Sequence, residues 1–108
     1  MISAVFFYNK QQLIEGFTIK GHAGYAEYGS DIICSAVSAL AINTINSIDT
    51  LVQVPLQYNQ SEDGLLECSL ADADNKEAQL LMQSLLLGLQ SIQASYGAKY
   101  LNIKSRNS

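Results

Sequence analysis

One histidine and one cysteine stand twelve positions apart in the segment GHAGYAEYGSDIICSAVS, which runs from residue 21 to residue 38. His22 is the only histidine of the chain, and Cys34 is one of its two cysteines. An imidazole that accepts a thiol proton activates cysteine as a nucleophile for covalent acyl transfer. The glycine-containing loop between the two residues is long enough to fold back on itself. The spacing therefore permits a His–Cys catalytic dyad.

Cys34 is predicted to lie in the first turn of a helix. Ser30 and Asp31 are both suitable N-cap residues, and apolar residues then recur at helical spacing from Ile32 to about Val52. The free amides and the positive end of the helix dipole favour a thiolate at this place. The sequence therefore predicts a lowered pKa for the Cys34 thiol.

Each of these residues also has an ordinary structural explanation. A helical cysteine is often a small buried apolar side chain, and a lone histidine is often a surface or core residue. Asp31 can orient His22, but helix capping alone explains an aspartate there. Ser38, one helical turn beyond Cys34, can hydrogen-bond near the site or to its own helix. A metal site is not predicted, because one histidine and two widely separated cysteines provide no close pair of zinc ligands, and no cofactor is expected.

The segment resembles the signature of the bacterial ribosomal-processing cysteine proteases. In that family Gly-His is followed by a glycine-containing loop, Asp-Ile-(Val/Ile)-Cys and a serine four residues after the cysteine. The matching positions are Gly21, His22, Gly29, Asp31, Ile32, Ile33, Cys34 and Ser38. The segment EAQLLMQSLLLGLQSIQASY, residues 77–96, is also similar to the family's second helix, so the resemblance covers nearly the whole chain.

The resemblance implies a cysteine endopeptidase in which His22 and Cys34 are catalytic. Its implied substrate is the short, apolar and basic N-terminal extension of large-ribosomal-subunit protein twenty-seven, cut after a pair of aromatic residues. In such a reaction the sulfur attacks the scissile carbonyl and gives an acyl-enzyme. The backbone amide of Cys34 and a neighbouring amide of the helix start are candidates for the oxyanion hole.

The loop between the two catalytic candidates is predicted to contact substrate. Gly24 and Gly29 lie at its two ends and Tyr25 and Tyr28 lie between them, while Gly21 precedes His22 at the end of a strand. This composition is typical of a mobile flap that carries aromatic surface over a site. The alternative is an ordinary connection with exposed tyrosines.

Composition limits the other classes of function. The 108 residues, of which 48% are hydrophobic and 15% charged, suit one domain spanning residues 1–108. Six basic and ten acidic residues give a net charge of −4, which disfavours direct nucleic-acid binding and is compatible with a cationic protein partner. Two cysteines make no disulfide framework, no signal peptide is evident, and the apolar run at residues 80–89 is too short and interrupted for a membrane span. We expect a cytoplasmic protein without membrane contact.

Alternating apolar and polar residues, together with segments of helical periodicity, predict an α+β domain of order ββαββαβ. In this domain two long helices pack on a mostly antiparallel sheet. Strands are predicted at residues 2–8, 13–20, 56–59, 66–70 and 99–104, and residues 105–108 are expected to fray. The second helix is predicted to begin with Asp74 as N-cap and Glu77 completing a capping box, and to end at Gly97. Cys68 shares a strand face with two leucines and is predicted to pack in the core.

Surplus leucines on both helices predict a homodimer formed through helical surface. Two other classes of function remain open. A non-catalytic ribosome-assembly factor would bind the same ribosomal protein without cutting it and would have an unreactive Cys34. A thiol redox protein is less well supported, because Cys34 has no C-x-x-C partner and Cys68 lies in a different hairpin.

Overall fold

The computed structural model describes residues 1–26, 31–62 and 64–107. Its elements are β1 (Ile2–Tyr8), β2 (Ile14–Lys20), α1 (Ile32–Ser47), a π-helical turn (Ile48–Val52), β3 (Leu56–Gln60), β4 (Leu66–Leu70), α2 (Lys76–Tyr96) and β5 (Leu101–Asn107). The predicted ββαββαβ order and α+β class are confirmed.

The five strands form one sheet in the order β3-β4-β2-β1-β5. The β1–β2, β2–β4 and β3–β4 pairs are antiparallel, and only β5 runs parallel to its neighbour β1. A parallel pair needs a crossover connection rather than a tight turn, and α2 lies in the chain directly before β5. The mostly antiparallel sheet predicted from the two hairpins is therefore correct.

The core lies between one face of the sheet and the two helices. Strand β4 shows the pattern most clearly, because Leu66, Cys68 and Leu70 are buried while Glu67 and Ser69 are exposed. Such alternation is typical of an antiparallel sheet covered on one side. Cys68 belongs to the hydrophobic core, as its position among the leucines predicted.

The segment from Ile32 to Val52 is long and apolar enough to cross a membrane when judged by length and composition alone. In the structure, however, Ile33, Val37 and Ala41 of this segment are buried in the core against the sheet. The core helix of a protein with no membrane contact meets the same criteria, so this helix is weak evidence for a membrane span.

The start of α2 differs from the sequence-based prediction. Its N-cap is Asn75, whose side chain accepts a hydrogen bond of 2.8 Å from the Ala78 amide. Asp74, predicted as the cap, lies one residue too early, and its own amide donates to the Asp72 side chain at 2.9 Å in the turn before the helix. Glu77 is in the first turn, where a negative charge interacts favourably with the helix dipole.

The last strand lies further along the chain than predicted, because it begins at Leu101 rather than at residue 99 and continues to Asn107 rather than ending at residue 104. Its pairing with β1 continues without interruption from Ile2 opposite Leu101 to Tyr8 opposite Asn107. The prediction that the chain frays from Ser105 is therefore wrong, because the backbone groups of β1 provide hydrogen-bond partners for the polar end of β5.

A buried polar side chain joins α2 to β2. Gln79 is 6% exposed, its Oε1 accepts from the Ile14 amide at 2.9 Å, and its Nε2 donates to the Ile14 carbonyl at 2.7 Å. The two residues are 65 positions apart in the chain. The pair therefore fixes the position of the second helix on the sheet.

We expect Gln79→Ala to lower the free energy of unfolding by about 3 kcal/mol, because a buried donor or acceptor left without a partner costs about 1–3 kcal/mol and Ile14 would have one of each. Urea denaturation measures the change. Gln83→Ala, an exposed glutamine on the same helix, is the matched control and should stay close to wild type. Equal losses in the two variants would contradict this role of Gln79.

Candidate active site

A cavity of about 660 Å³ opens beside the N-terminal end of α1. It brings together most of the residues singled out from the sequence: Gly21, His22, Gly24, Asp31, Cys34 and Ser38. Its other wall is the β3–β4 hairpin turn, which contributes Gln60 to Glu62 and Gly64 to Leu66. A more open concavity of about 770 Å³ on the sheet contains none of those predicted residues. Within the described part of the chain, no three His, Cys, Asp or Glu side chains cluster as metal ligands.

Asp31 fixes the start of α1 and with it the position of Cys34. Its Oδ1 accepts from the amides of Ile33 and Cys34, both at 3.0 Å, and its Oδ2 accepts from the Tyr25 amide at 3.1 Å. Asp31 is therefore the N-cap of the helix, and it also ties the preceding loop to the helix end. Ser30, the other predicted cap, lies outside the described residues.

The Cys34 sulfur lies in the first turn of α1, as predicted, and is partly buried. Its Sγ accepts a hydrogen bond of 3.2 Å from the backbone amide of Ala23. Ala23 directly follows His22 in the chain, so the segment that carries the histidine also contacts the reactive sulfur.

Two glycines that contact each other position His22. The Gly21 amide donates to the Gly64 carbonyl at 3.2 Å, and a Cβ on Gly21 would lie 2.6 Å from the Met1 carbonyl oxygen. A Cβ on Gly64 would lie 3.3 Å from both Cε1 and Nε2 of the His22 ring. The imidazole therefore lies against the β3–β4 turn. The sequence analysis missed Gly64, for which the only signal was a glycine in a predicted turn.

Residues 1–101 match the model of a family described as cysteine protease Prp. The chain belongs to this family. A relative from Staphylococcus aureus, named ribosomal processing cysteine protease Prp, is 32% identical over 97 residues, which cover 89% of this chain and 92% of the relative. A relative of the same name from Bacillus subtilis is 29% identical over 101 residues, with 89% and 90% covered.

Solved Prp structures have the same fold. The crystal structure of an essential ribosomal processing protease Prp from S. aureus, in complex with a covalently linked product peptide, matches with a TM-score of 0.93 at 29% identity. The S. aureus complex with a substrate peptide gives 0.88 at 28% identity. Each comparison covers 98% of this chain and 100% of the other. The family and the cysteine protease activity predicted from the sequence are confirmed.

The electrostatic environment of Cys34 differs from the prediction. Burial raises the pKa of the Cys34 thiol, and the charge of Asp31 together with its hydrogen bond to the thiol raises it further, while the Ala23 amide acts in the opposite direction. The predicted lowering is wrong because the helix-end amides point to the Asp31 carboxylate, which places a negative charge beside the sulfur. The Cys34 thiol is therefore harder to ionise than an ordinary cysteine thiol, because its pKa is raised.

The Asp31 carboxylate itself stays ionised. Burial alone would raise its pKa, but hydrogen bonds from Cys34, Tyr25 and Ile33 together hold the pKa below its ordinary value. A group with a depressed folded-state pKa stabilises the fold above its unfolded pKa, and this contribution is lost as the pH falls through the folded pKa. Asp31 therefore contributes stability throughout the neutral range.

We expect Asp31→Asn to speed alkylation of Cys34 by iodoacetamide at pH 7 severalfold, because removing the Asp31 charge that helps to raise the pKa of the thiol increases the fraction of thiolate. Asparagine keeps a side-chain oxygen that can cap the helix but removes the negative charge. The rate is measured by mass spectrometry in a Cys68→Ser background, so that only Cys34 reacts. An unchanged rate would show that the Asp31 charge does not control the thiol.

Tyr25 does not cover the cavity as the flap prediction supposed. Its ring packs edge-on against Tyr96 at a centroid distance of 5.6 Å and against Tyr100 at 5.2 Å. Gly24 and Ala26 line the cavity on either side of it, whereas the Tyr25 ring faces the end of α2. Two further residues of the predicted substrate loop, Tyr28 and Gly29, lie outside the described residues.

The helix-start amides predicted as candidates for the oxyanion hole already have partners in the structure. The amides of Ile33 and Cys34 donate to the Asp31 side chain, and the Ser35 amide donates to the Asp31 carbonyl at 3.1 Å. These N–H groups already have partners within the helix cap. A donor from another part of the site would not have to leave the helix cap to reach the developing oxyanion.

Proposed function

We propose that this cysteine protease is a ribosomal-protein-processing endopeptidase with His22 and Cys34 as its catalytic dyad. The observation that carries the proposal is that the two side chains, from separate elements of the fold, line the same cavity. His22 comes from the end of β2 and is held by the β3–β4 turn, and Cys34 comes from the capped start of α1. Rigid elements of this kind suit groups that must meet in one geometry.

The chemistry follows from the raised pKa of the Cys34 thiol, which favours the protonated sulfur before substrate binds. The His22 imidazole accepts the Cys34 proton as the sulfur attacks the scissile carbonyl, and it returns that proton to the leaving amine. The resulting acyl-enzyme is then hydrolysed by water. Asp31 supports this reaction by capping α1, which places Cys34, and Ser38 lies one turn further along the cavity wall.

The substrate we propose is the N-terminal extension of large-ribosomal-subunit protein twenty-seven, cut after its aromatic pair. The name of the relatives, ribosomal processing cysteine protease, supports a ribosomal protein as substrate. The lining of the cavity includes the apolar residues Ala41 and Ile42 of α1 and Leu65 of the β3–β4 turn, which suits apolar residues of a substrate. Glu62 at the turn and the net charge of −4 suit the basic residues of such an extension.

The proposal is tested by mass spectrometry of a peptide that spans the ribosomal-protein extension, incubated with wild type, Cys34→Ser, His22→Ala and Cys68→Ser. Cleavage after the aromatic pair by wild type and Cys68→Ser alone is the expected result. Binding of the peptide by wild type without any cleavage would overturn the endopeptidase and indicate the non-catalytic assembly factor.

The homodimer and the cytoplasmic location stay predictions. Leu80 and Leu87 are 67% and 65% exposed and lie seven residues apart on α2, so they form an apolar stripe that a second copy of the chain would cover. Sedimentation velocity at micromolar concentration is expected to show a dimer that Leu87→Glu weakens. A wild-type protein that sediments only as a monomer would contradict this prediction.

A further inference from the structure

The backbone amide of Ala23 is aimed at the reacting sulfur. Its N–H donates to Cys34 Sγ at 3.2 Å, and the residue is only 4% exposed, so little water competes for this hydrogen bond. The segment that carries it is fixed at both ends. Gly21 is bound to the β3–β4 turn, and the Tyr25 amide is bound to Asp31.

An oxyanion needs a donor near the sulfur, and the helix-start amides already donate within the cap. In the tetrahedral intermediate the oxygen is bonded to the same carbon as the sulfur, so it forms beside Sγ. A donor that points at Sγ in the free enzyme is therefore close to the place where the negative charge develops. Preorganised donors of this kind contribute strongly to acyl-transfer catalysis.

We propose that the Ala23 N–H is an oxyanion-hole donor of this protease, an assignment that rests on the proposed His22–Cys34 reaction. As the sulfur–carbon bond forms, the thiol proton passes to His22 and the electron pair of the carbonyl double bond moves to oxygen. The Ala23 N–H then changes its acceptor from sulfur to that oxygen. On collapse the pair re-forms the carbonyl, the carbon–nitrogen bond breaks, and His22 protonates the leaving amine.

The test replaces the Ala23 amide by an ester. Lactic acid incorporated at position 23 in place of alanine keeps the methyl group and removes only the N–H. We expect kcat for the extension peptide to fall roughly 10²–10³-fold, the loss found when one oxyanion donor is removed, with KM little changed. The matched control is lactic acid at position 71, because the exposed Ala71 amide donates a backbone hydrogen bond of 3.2 Å to Pro55, outside the cavity lining.

A second measurement separates an oxyanion role from a role in holding the thiolate. A peptide aldehyde of the substrate sequence forms a tetrahedral adduct with Cys34, whereas alkylation by iodoacetamide forms no oxyanion. The ester at position 23 should raise the dissociation constant of the aldehyde by about the same factor by which it lowers kcat/KM. Alkylation measured at high pH, where the thiolate is fully formed, should stay at the wild-type rate.

The unmodified protein gives a third readout that does not depend on the ester variant folding. In protein labelled with ¹⁵N-alanine, the Ala23 amide proton should move downfield in the aldehyde adduct and not in the iodoacetamide adduct. Any one of three results would overturn the assignment. These are a wild-type kcat in the position-23 ester variant, an unchanged affinity of that variant for the aldehyde, and an Ala23 amide resonance that does not move in the aldehyde adduct. A wild-type protein that does not cleave the peptide would instead overturn the proposed function, and this assignment with it.

Discussion

Replacing His22 by alanine is expected to lower kcat/KM for peptide cleavage at pH 7 by roughly 10²–10⁴-fold, the range that general acid–base catalysis provides. The expected loss lies toward the upper end because burial and the neighbouring Asp31 charge raise the pKa of Cys34. Without a base, little thiolate is present to attack. The sulfur would depend on hydroxide from the solvent, so the ratio of wild type to variant should fall as the pH rises.

Rates of cleavage by wild type and His22→Ala, measured from pH 6 to pH 10, test this expectation. Cys34→Ser defines the background, and Cys68→Ser is the matched control. Burial raises the pKa of Cys68 to about 11, so Cys68 cannot replace Cys34 as the nucleophile over this range. A ratio independent of pH would contradict a base that acts on the thiol and would indicate a preformed thiolate.

Local patterns in the sequence predicted the elements, whereas the resemblance to the family signature pointed to the residues that line the cavity. Alternation in β4 identified its buried face, including Cys68, and the Asp31 cap placed Cys34 in the first turn of α1. The strand that ends before Gly21 placed His22 just beyond the end of β2, the central strand of the sheet. In each case the structure is determined by a hydrophobic periodicity or a helix-capping residue within a few positions. Such patterns are visible in neighbouring residues of the sequence.

Features that depend on contacts distant in the chain could not be predicted. The bond between Gln79 and Ile14 joins residues 65 positions apart, and nothing near either residue indicates the other. The pKa of Cys34 was predicted in the wrong direction because the helix dipole was visible in the sequence, whereas burial of the sulfur and its contact with Asp31 were not. The contact between the Ala23 amide and the sulfur likewise depends on how the loop folds back.

The β3–β4 turn is expected to control activity through His22, and Gly64→Ala tests this coupling. Gly64 has a φ of +82°, and a methyl group there would lie 3.3 Å from Nε2 and Cε1 of the imidazole and from the Gly21 carbonyl. The ring must therefore move or tilt to admit it. A misplacement of about 1 Å in a catalytic group can cost on the order of 10²-fold in rate. Contacts of 3.3 Å require the neighbouring atoms to move by a few tenths of an ångström, so we expect kcat/KM to fall by less than this factor, roughly three- to tenfold.

Backbone strain contributes to that variant as well, because an alanine in the left-handed region costs about 1–2 kcal/mol. Gly97→Ala separates the two effects, since Gly97 has a φ of +112° and a Cβ there would meet nothing within 4 Å. Urea denaturation should show a lower free energy of unfolding for both variants. When kcat/KM is compared under conditions in which both proteins are fully folded, only Gly64→Ala should show a decrease. If Gly97→Ala lost as much activity as Gly64→Ala, strain alone would explain the result. The expected result is that activity is lost in Gly64→Ala alone, while alkylation of Cys34 in that variant stays normal. This combination would show that the defect lies at the imidazole and that the hairpin turn positions the catalytic base.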